Sequence, residues 1–266
     1  TKATLRNVAW NQKANVIFLE QPIGVGFSDA NPADAPQNRK DMQDQFWQFI
    51  TGWINLPQFQ KYKKRPLYVS GESYGGHWVP YISSRLYQEK NPDINFKGCA
   101  IGNGWVEPRE MYYGYPGFAV KNSKETKFYP HDYVKLMPTA ELCKFIIPQN
   151  NPLYTYDRYS VCESINSAII TDPKTGKPKF NYYNIDMTTD YPNYYRAFLN
   201  RPDVQKVLGV SKKWEDCDGK VYSTYYQHDW FLQSGPLLIP LLNDPNIKVL
   251  WYNGDLDYIC NWYGED

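Results

Sequence analysis

Leu67-Tyr68-Val69-Ser70-Gly71-Glu72-Ser73-Tyr74-Gly75 is an apolar run that closes on the pattern G-x-S-x-G. A helical pattern follows from Tyr81 to Tyr87, with Pro80 early in it. A proline there is tolerated only in the first turn or at a kink. G-x-S-x-G between a strand and a helix is a nucleophile elbow. The turn is so tight that side chains at the two glycine positions would clash. Its serine hydroxyl stands exposed at the carboxyl end of the sheet, beside a helix N-terminus. Ser73 is therefore the candidate nucleophile. A serine in an ordinary glycine turn is the plain alternative, and the strand–turn–helix context weighs against it.

Three further apolar runs flank this one: Val16-Ile17-Phe18-Leu19, Cys99-Ala100-Ile101 and Val249-Leu250-Trp251-Tyr252. Each is too short for a helix and too unbroken for a half-exposed strand, as expected for strands covered on both faces. Met42, Phe46, Phe49, Ile50, Trp53 and Ile54 mark one face of a helix between them. Asp229 to Leu242 is a third helix candidate, interrupted by Gly235-Pro236. Alternating strands and helices predict an α/β fold around a mostly parallel sheet.

The rhythm fades over residues 105–200, which hold 13 of the 24 tyrosines. Even spacing would put about 9 there, so the segment differs in kind and is read as an inserted cap. The domain expectation is a first core part at 1–104, the cap at 105–200 and a second core part at 201–266. A second structural domain without a role at the site is the bland alternative.

The 266 residues carry a formal net charge of +1, which removes the charge argument for nucleic acid or an anionic membrane as partner. No apolar stretch is long enough to span a bilayer. Thr1-Lys2-Ala3-Thr4 has no initiator Met and no apolar signal region, so any signal peptide is expected to precede this chain. Five cysteines without a C-x-x-C pair argue against structural zinc. Nothing in the sequence calls for a metal or a cofactor.

A serine needs a base to take its proton, normally a histidine oriented by a carboxylate. After an elbow the chain order is serine, acid, histidine. Gly254-Asp255-Leu256-Asp257 follows the last apolar run and offers two aspartates, between which spacing does not choose. His77, His131 and His228 all precede that turn. His77 falls one helical turn after Ser73, where its aim at the hydroxyl is doubtful, and structural roles are expected for all three. The base is expected beyond residue 266.

Four segments carry a resemblance: residues 15–28 (NVIFLEQPIGVGFS), 71–80 (GESYGGHWVP), 97–104 (KGCAIGNG) and 252–261 (YNGDLDYICN). In this order they resemble the serine carboxypeptidases, a family that includes carboxypeptidase Y, cathepsin A and plant enzymes. The resemblance implies an α/β-hydrolase that removes C-terminal residues from peptides through an acyl-enzyme. Ser73 matches the nucleophile and Asp257, the second aspartate, the triad acid. The backbone N–H of Tyr74 matches one oxyanion donor. Glu72 matches a glutamate that binds the substrate's terminal carboxylate; crowded in a cleft, it would resist ionising and donate a hydrogen bond. Cys260 matches a thiol near the site, with a buried inert cysteine the equal alternative. Cys99 is expected free in a core strand, and Cys217 resembles a cysteine whose partner lies upstream of this chain. Cys143 and Cys162 are candidates to pair within the cap, which suits an oxidising compartment.

Peptide C-termini are the implied partners, and the resemblance leaves room for a homodimer. It implies a lysosomal, vacuolar or secreted location, although no N-x-[ST] glycosylation site occurs. The glycine loop that supplies the second oxyanion donor and the histidine segment are both missing, so the 266 residues are expected to be a fragment with negligible activity. Two rivals share the scaffold: an acyltransferase, and a non-catalytic binding or protective protein.

Overall fold

The structure, a computed structural model, describes residues 4–29, 31, 34–147, 156–189 and 192–264, without the side chains of 156–158. It divides into two compact units, 1–37 with 191–225 and 38–190 with 226–266.

The second unit holds a sheet of three parallel strands in the order β1–β2–β3: β1 (Pro66–Ser73), β2 (Asn95–Gly104) and β3 (Lys248–Tyr252). Helix α1 (Arg39–Asn55) starts where the Asn38 side chain accepts from the N–H groups of Lys40 and Asp41. Its predicted apolar stripe is real: Met42, Phe46, Ile50 and Ile54 are buried. Helix α2 (Gly75–Glu89) links β1 to β2 and packs on α1.

Pro80 lies inside α2, not in its first turn. A proline there has no N–H for the carbonyl four residues back. That carbonyl, Gly76 O, instead accepts a 2.8 Å bond from the hydroxyl of the fully buried Ser234. A side chain from a distant segment thus repairs the helix.

Between β2 and β3 come α3 (Pro108–Lys121), the single turn α4 (Ser123–Thr126), α5 (Pro130–Ile146) and α6 (Tyr156–Ile170). Tyr112, Tyr115, Phe118, Ile165, Phe180 and Tyr258 are wholly buried in one core with the Cys143–Cys162 disulfide, which ties α5 to α6. Cys99 and Cys260 are buried thiols outside the disulfide, and Cys217 is an exposed one.

In the first unit the Glu20 carboxylate accepts from the N–H groups of Phe27 and Ser28 and from the Trp214 indole. Lys212 Nζ donates to the carbonyls of Gly24 and Ser28, pinning the same loop from the other side. Helices α7 (Tyr194–Leu199), α8 (Pro202–Leu208) and most of α9 (Gly219–His228) belong here.

Three expectations are corrected. Val16–Leu19 is an exposed loop, not a strand; no described strand offers it a ladder. Strands β1 and β3 are covered on one face only: Tyr68, Leu250 and Tyr252 stay exposed, since every second residue of a strand points to the other face, whereas the central β2 has no exposed residue. The helix expected from Asp229 to Leu242 is broken. Asp229 follows the end of α9, a 3-10 turn runs over Gly235–Leu238, and α10 is only Ile239–Leu242. No helix among the described residues is long and apolar enough to cross a membrane.

Candidate active site

Ser73 ends β1 with φ +57°, a left-handed conformation that costs a non-glycine residue energy. It is exposed, and its carbonyl is held by a 2.8 Å bond from the N–H of Trp105, just past β2. The elbow's need for small residues is only half as expected. A Cβ on Gly71 would come within 2.7 Å of Val79 Cγ2. A Cβ on Gly75 would meet nothing within 4 Å. The crowded position is the next one: a Cβ on Gly76 would lie 2.4 Å from Trp105 N and 2.7 Å from the Gly104 carbonyl carbon. Close packing of α2 on the end of β2, not the turn itself, demands that glycine.

Tyr74 precedes α2, so its backbone N–H lies at the electropositive end of a fifteen-residue helix. Its ring stacks on Trp230 at 6.0 Å and meets Trp78 edge-on at 5.1 Å. Its hydroxyl donates to Asp229 Oδ2 at 3.2 Å. Asp229 is buried in an ion pair with Arg39, whose guanidinium also donates to Tyr81 Oη at 2.7 Å.

The acid turn follows β3. Asp255 is exposed, whereas Asp257 is half-buried and its Oδ1 accepts from the N–H of Ile259 at 3.0 Å. Burial pushes the Asp257 carboxyl up to about 6, against the pull of donors from Cys260, Ile259 and Asn103; the Glu72 carboxylate adds to the rise. Glu72 and Asp257 therefore lie within electrostatic reach of one another. Glu72 itself is exposed at the end of β1, not crowded as expected.

Asn103 is the residue that sequence reasoning missed. Glu72 pairs with Gly102 and Ser73 with Gly104, so Asn103 is a β-bulge, at φ +40°. The bulge turns its side chain onto the acid turn: Oδ1 accepts from Gly254 N at 3.1 Å, and Nδ2 donates to Cys260 O at 3.2 Å. Gly102-Asn103-Gly104 at a strand end was the available signal. Cys260 contributes its carbonyl, which also accepts from Asn253 at 3.1 Å, while its thiol is buried.

Residues between β2 and β3 grip the same turn. Tyr182 O accepts from the N–H groups of Tyr258 and Ile259, Leu256 O accepts from Ile185 N, and Tyr115 Oη donates to Ile259 O.

The three histidines stand apart from this chemistry. His77 is fully buried, edge-on to Tyr74, and burial lowers its pKa to about 4. His131 is exposed beside Asp132, and His228 is exposed at the end of α9.

Comparison with known proteins gives the family and the fold. The family model described as serine carboxypeptidase matches residues 1–266. The chain is 32% identical over 285 residues to the pheromone-processing carboxypeptidase kex1 of Aspergillus fumigatus, covering 98% of this chain and 43% of that protein. It is 33% identical over 267 residues to a serine carboxypeptidase-like protein of Oryza sativa subsp. japonica, covering 96% of this chain and 60% of that protein. The chain thus spans about half the length of the relatives it matches. A crystal structure of Kex1(delta)p, a prohormone-processing carboxypeptidase from Saccharomyces cerevisiae, superposes with a TM-score of 0.74 at 23% identity, over 93% of this chain and 57% of that one. With the elbow at Ser73, the parallel sheet and a family match over its whole length, this chain is an α/β-hydrolase and belongs to the serine carboxypeptidase family.

Proposed function

We propose that the polypeptide carrying these residues is a serine-type carboxypeptidase. The observation that supports it best is the shared edge. Ser73 and Asn103 lie at the carboxyl ends of β1 and β2, and the Asp257 turn follows that of β3, in neighbouring strands. Strands lie about 4.8 Å apart, so β1 and β3 are separated by roughly 10 Å. An imidazole fills that gap between a serine and an acid.

In this reading Ser73 Oγ attacks the carbonyl of the last peptide bond. An imidazole from outside these 266 residues takes its proton, and Asp257 orients that imidazole and stabilises its charge. The Tyr74 N–H donates to the oxyanion. The proton then passes to the leaving amine, the terminal amino acid departs, and water releases the acyl-enzyme by the same steps. Glu72, next to Ser73 at the end of β1, is the side chain read as receiving the substrate's terminal carboxylate. The 105–200 segment caps the site and shapes the preference for the leaving residue. The Cys143–Cys162 disulfide supports a vacuolar, lysosomal or secreted location.

The test is hydrolysis of a blocked dipeptide by the full-length polypeptide at about pH 5 and about pH 7.5, beside Ser73→Ala. Activity lost in the variant at both pH values is expected. Equal activity in Ser73→Ala overturns the reading. The 266 residues alone should give no turnover.

A further inference from the structure

A chain of buried and half-buried hydrogen bonds runs from the flank of Ser73 to the flank of Asp257 through α3 and α6. Trp230, stacked on Tyr74, donates from Nε1 to Tyr112 Oη at 3.0 Å. The Tyr112 hydroxyl donates to Glu163 Oε1. Glu163 Oε2 accepts from Asn166 Nδ2 at 3.2 Å, and Asn166 Oδ1 accepts from the Tyr258 hydroxyl at 2.8 Å. Tyr258 follows Asp257 directly. Tyr112 and Tyr258 are wholly buried.

The direction of each bond is forced. An indole N–H only donates, so the Tyr112 hydroxyl spends its own proton on the next group. Glu163 then accepts on both oxygens. Asn166 turns its NH2 to Glu163, which leaves its carbonyl for Tyr258. Glu163 and Asn166 are three apart on α6 and share a face. Cys162, the residue before Glu163, is bonded to Cys143 on α5, so the acceptor is anchored at its own backbone.

We propose that Glu163 is a positioning residue for the reaction. It touches no substrate; its carboxylate sets Tyr258, and with it the turn that holds Asp257, while its other oxygen steadies Tyr112 under the Trp230–Tyr74 stack. The inference rests on the carboxypeptidase reading above.

The experiment uses the full-length polypeptide, with a fluorophosphonate that labels the reactive serine to count working sites. Glu163→Gln, Tyr258→Phe and the double variant are compared with wild type in kcat per labelled site and in KM. A displacement of even part of an ångström at reacting groups is costly, so each single variant should lose about tenfold in kcat per site, with KM within about twofold. The double variant should lose no more than the worse single one, because one cut breaks the chain. A purely structural role predicts fewer labelled sites with unchanged kcat per site, and that result overturns the proposal. Multiplying losses in the double variant also overturn it. Should Glu163→Gln fail to fold, Tyr112→Phe takes its place, since it keeps the ring and removes one hydroxyl. Wild type that neither labels nor hydrolyses overturns the carboxypeptidase reading and this inference together; normal wild type with unaffected variants overturns this inference alone.

Discussion

Gly76→Ala should damage both stability and catalysis, and the size of each effect follows from one contact. A methyl at Gly76 would sit 2.4 Å from Trp105 N, 2.7 Å from Gly104 C and 2.8 Å from Gly104 Cα. Non-bonded carbon atoms are comfortable near 3.5 Å, so α2 and the end of β2 must part by about 1 Å. All three neighbours are backbone and cannot swing aside. The N–H that is struck is the one holding Ser73 O at 2.8 Å. Stretched by about 1 Å, that bond no longer meets hydrogen-bond geometry. Overpacking costs about 1–3 kcal/mol, and the lost bond adds about 1 kcal/mol. Urea unfolding should therefore show a loss of roughly 2–4 kcal/mol at unchanged m-value. In the full-length polypeptide the nucleophile moves by a comparable amount, and kcat per labelled site should fall by about a hundredfold. Gly75→Ala is the control: it meets no atom within 4 Å and stands at a helix start, so stability should hold or rise by up to about 1 kcal/mol. A Gly76→Ala protein within about 0.5 kcal/mol of the parent and within about twofold in kcat would refute the packing argument.

Ser234→Ala removes the donor to Gly76 O and should cost about 1–3 kcal/mol, the penalty of a buried acceptor left alone. Adding Pro80→Ala restores a main-chain N–H four residues on, so the double variant should regain part of the loss; no recovery in the urea midpoint would count against the repair described for α2. Two groups set opposing pH slopes. Buried His77, lowered from 6.5 to about 4, refuses a proton that the unfolded chain accepts, so stability falls on acidification through that window. Asp257, raised from 3.8 to about 6, keeps a proton that the unfolded chain releases, so stability falls as pH rises from about 4 to 6. Unfolding midpoints across this range should rise more steeply with pH in Asp257→Asn than in the parent, and less steeply in His77→Leu; three parallel curves would refute the assignment.

Much of this was legible because local chemistry and the fold agree. The run before Gly71 is a strand, the pattern after it a helix, and the apolar stripe from Met42 to Ile54 faces the core. The failures share a cause: each depended on a partner remote in sequence. Val16–Leu19 is as apolar as any strand, but a strand is defined by a neighbour. Pro80 reads as a first-turn or kink residue because the hydroxyl that compensates it lies at Ser234. Gly75 looked obligatory because the pattern contains it, although the close backbone approach falls at Gly76.

The site divides along the same line. Ser73, Tyr74 and Asp257 carry signals in their own segments, in a turn or beside a strand end. Asn103 shows nothing of its function locally beyond two flanking glycines. Yet its bulge lies between Ser73 and the acid turn, and its side chain holds that turn through Gly254 and Cys260. Trp105, two residues on, holds the carbonyl of Ser73. One short stretch of the middle strand thus grips the nucleophile with its backbone and the acid turn with a side chain. Residues from Gly102 to Trp105 should accordingly tolerate substitution less well than either aspartate-turn neighbour exposed to solvent, because a shift there moves both halves of the site at once.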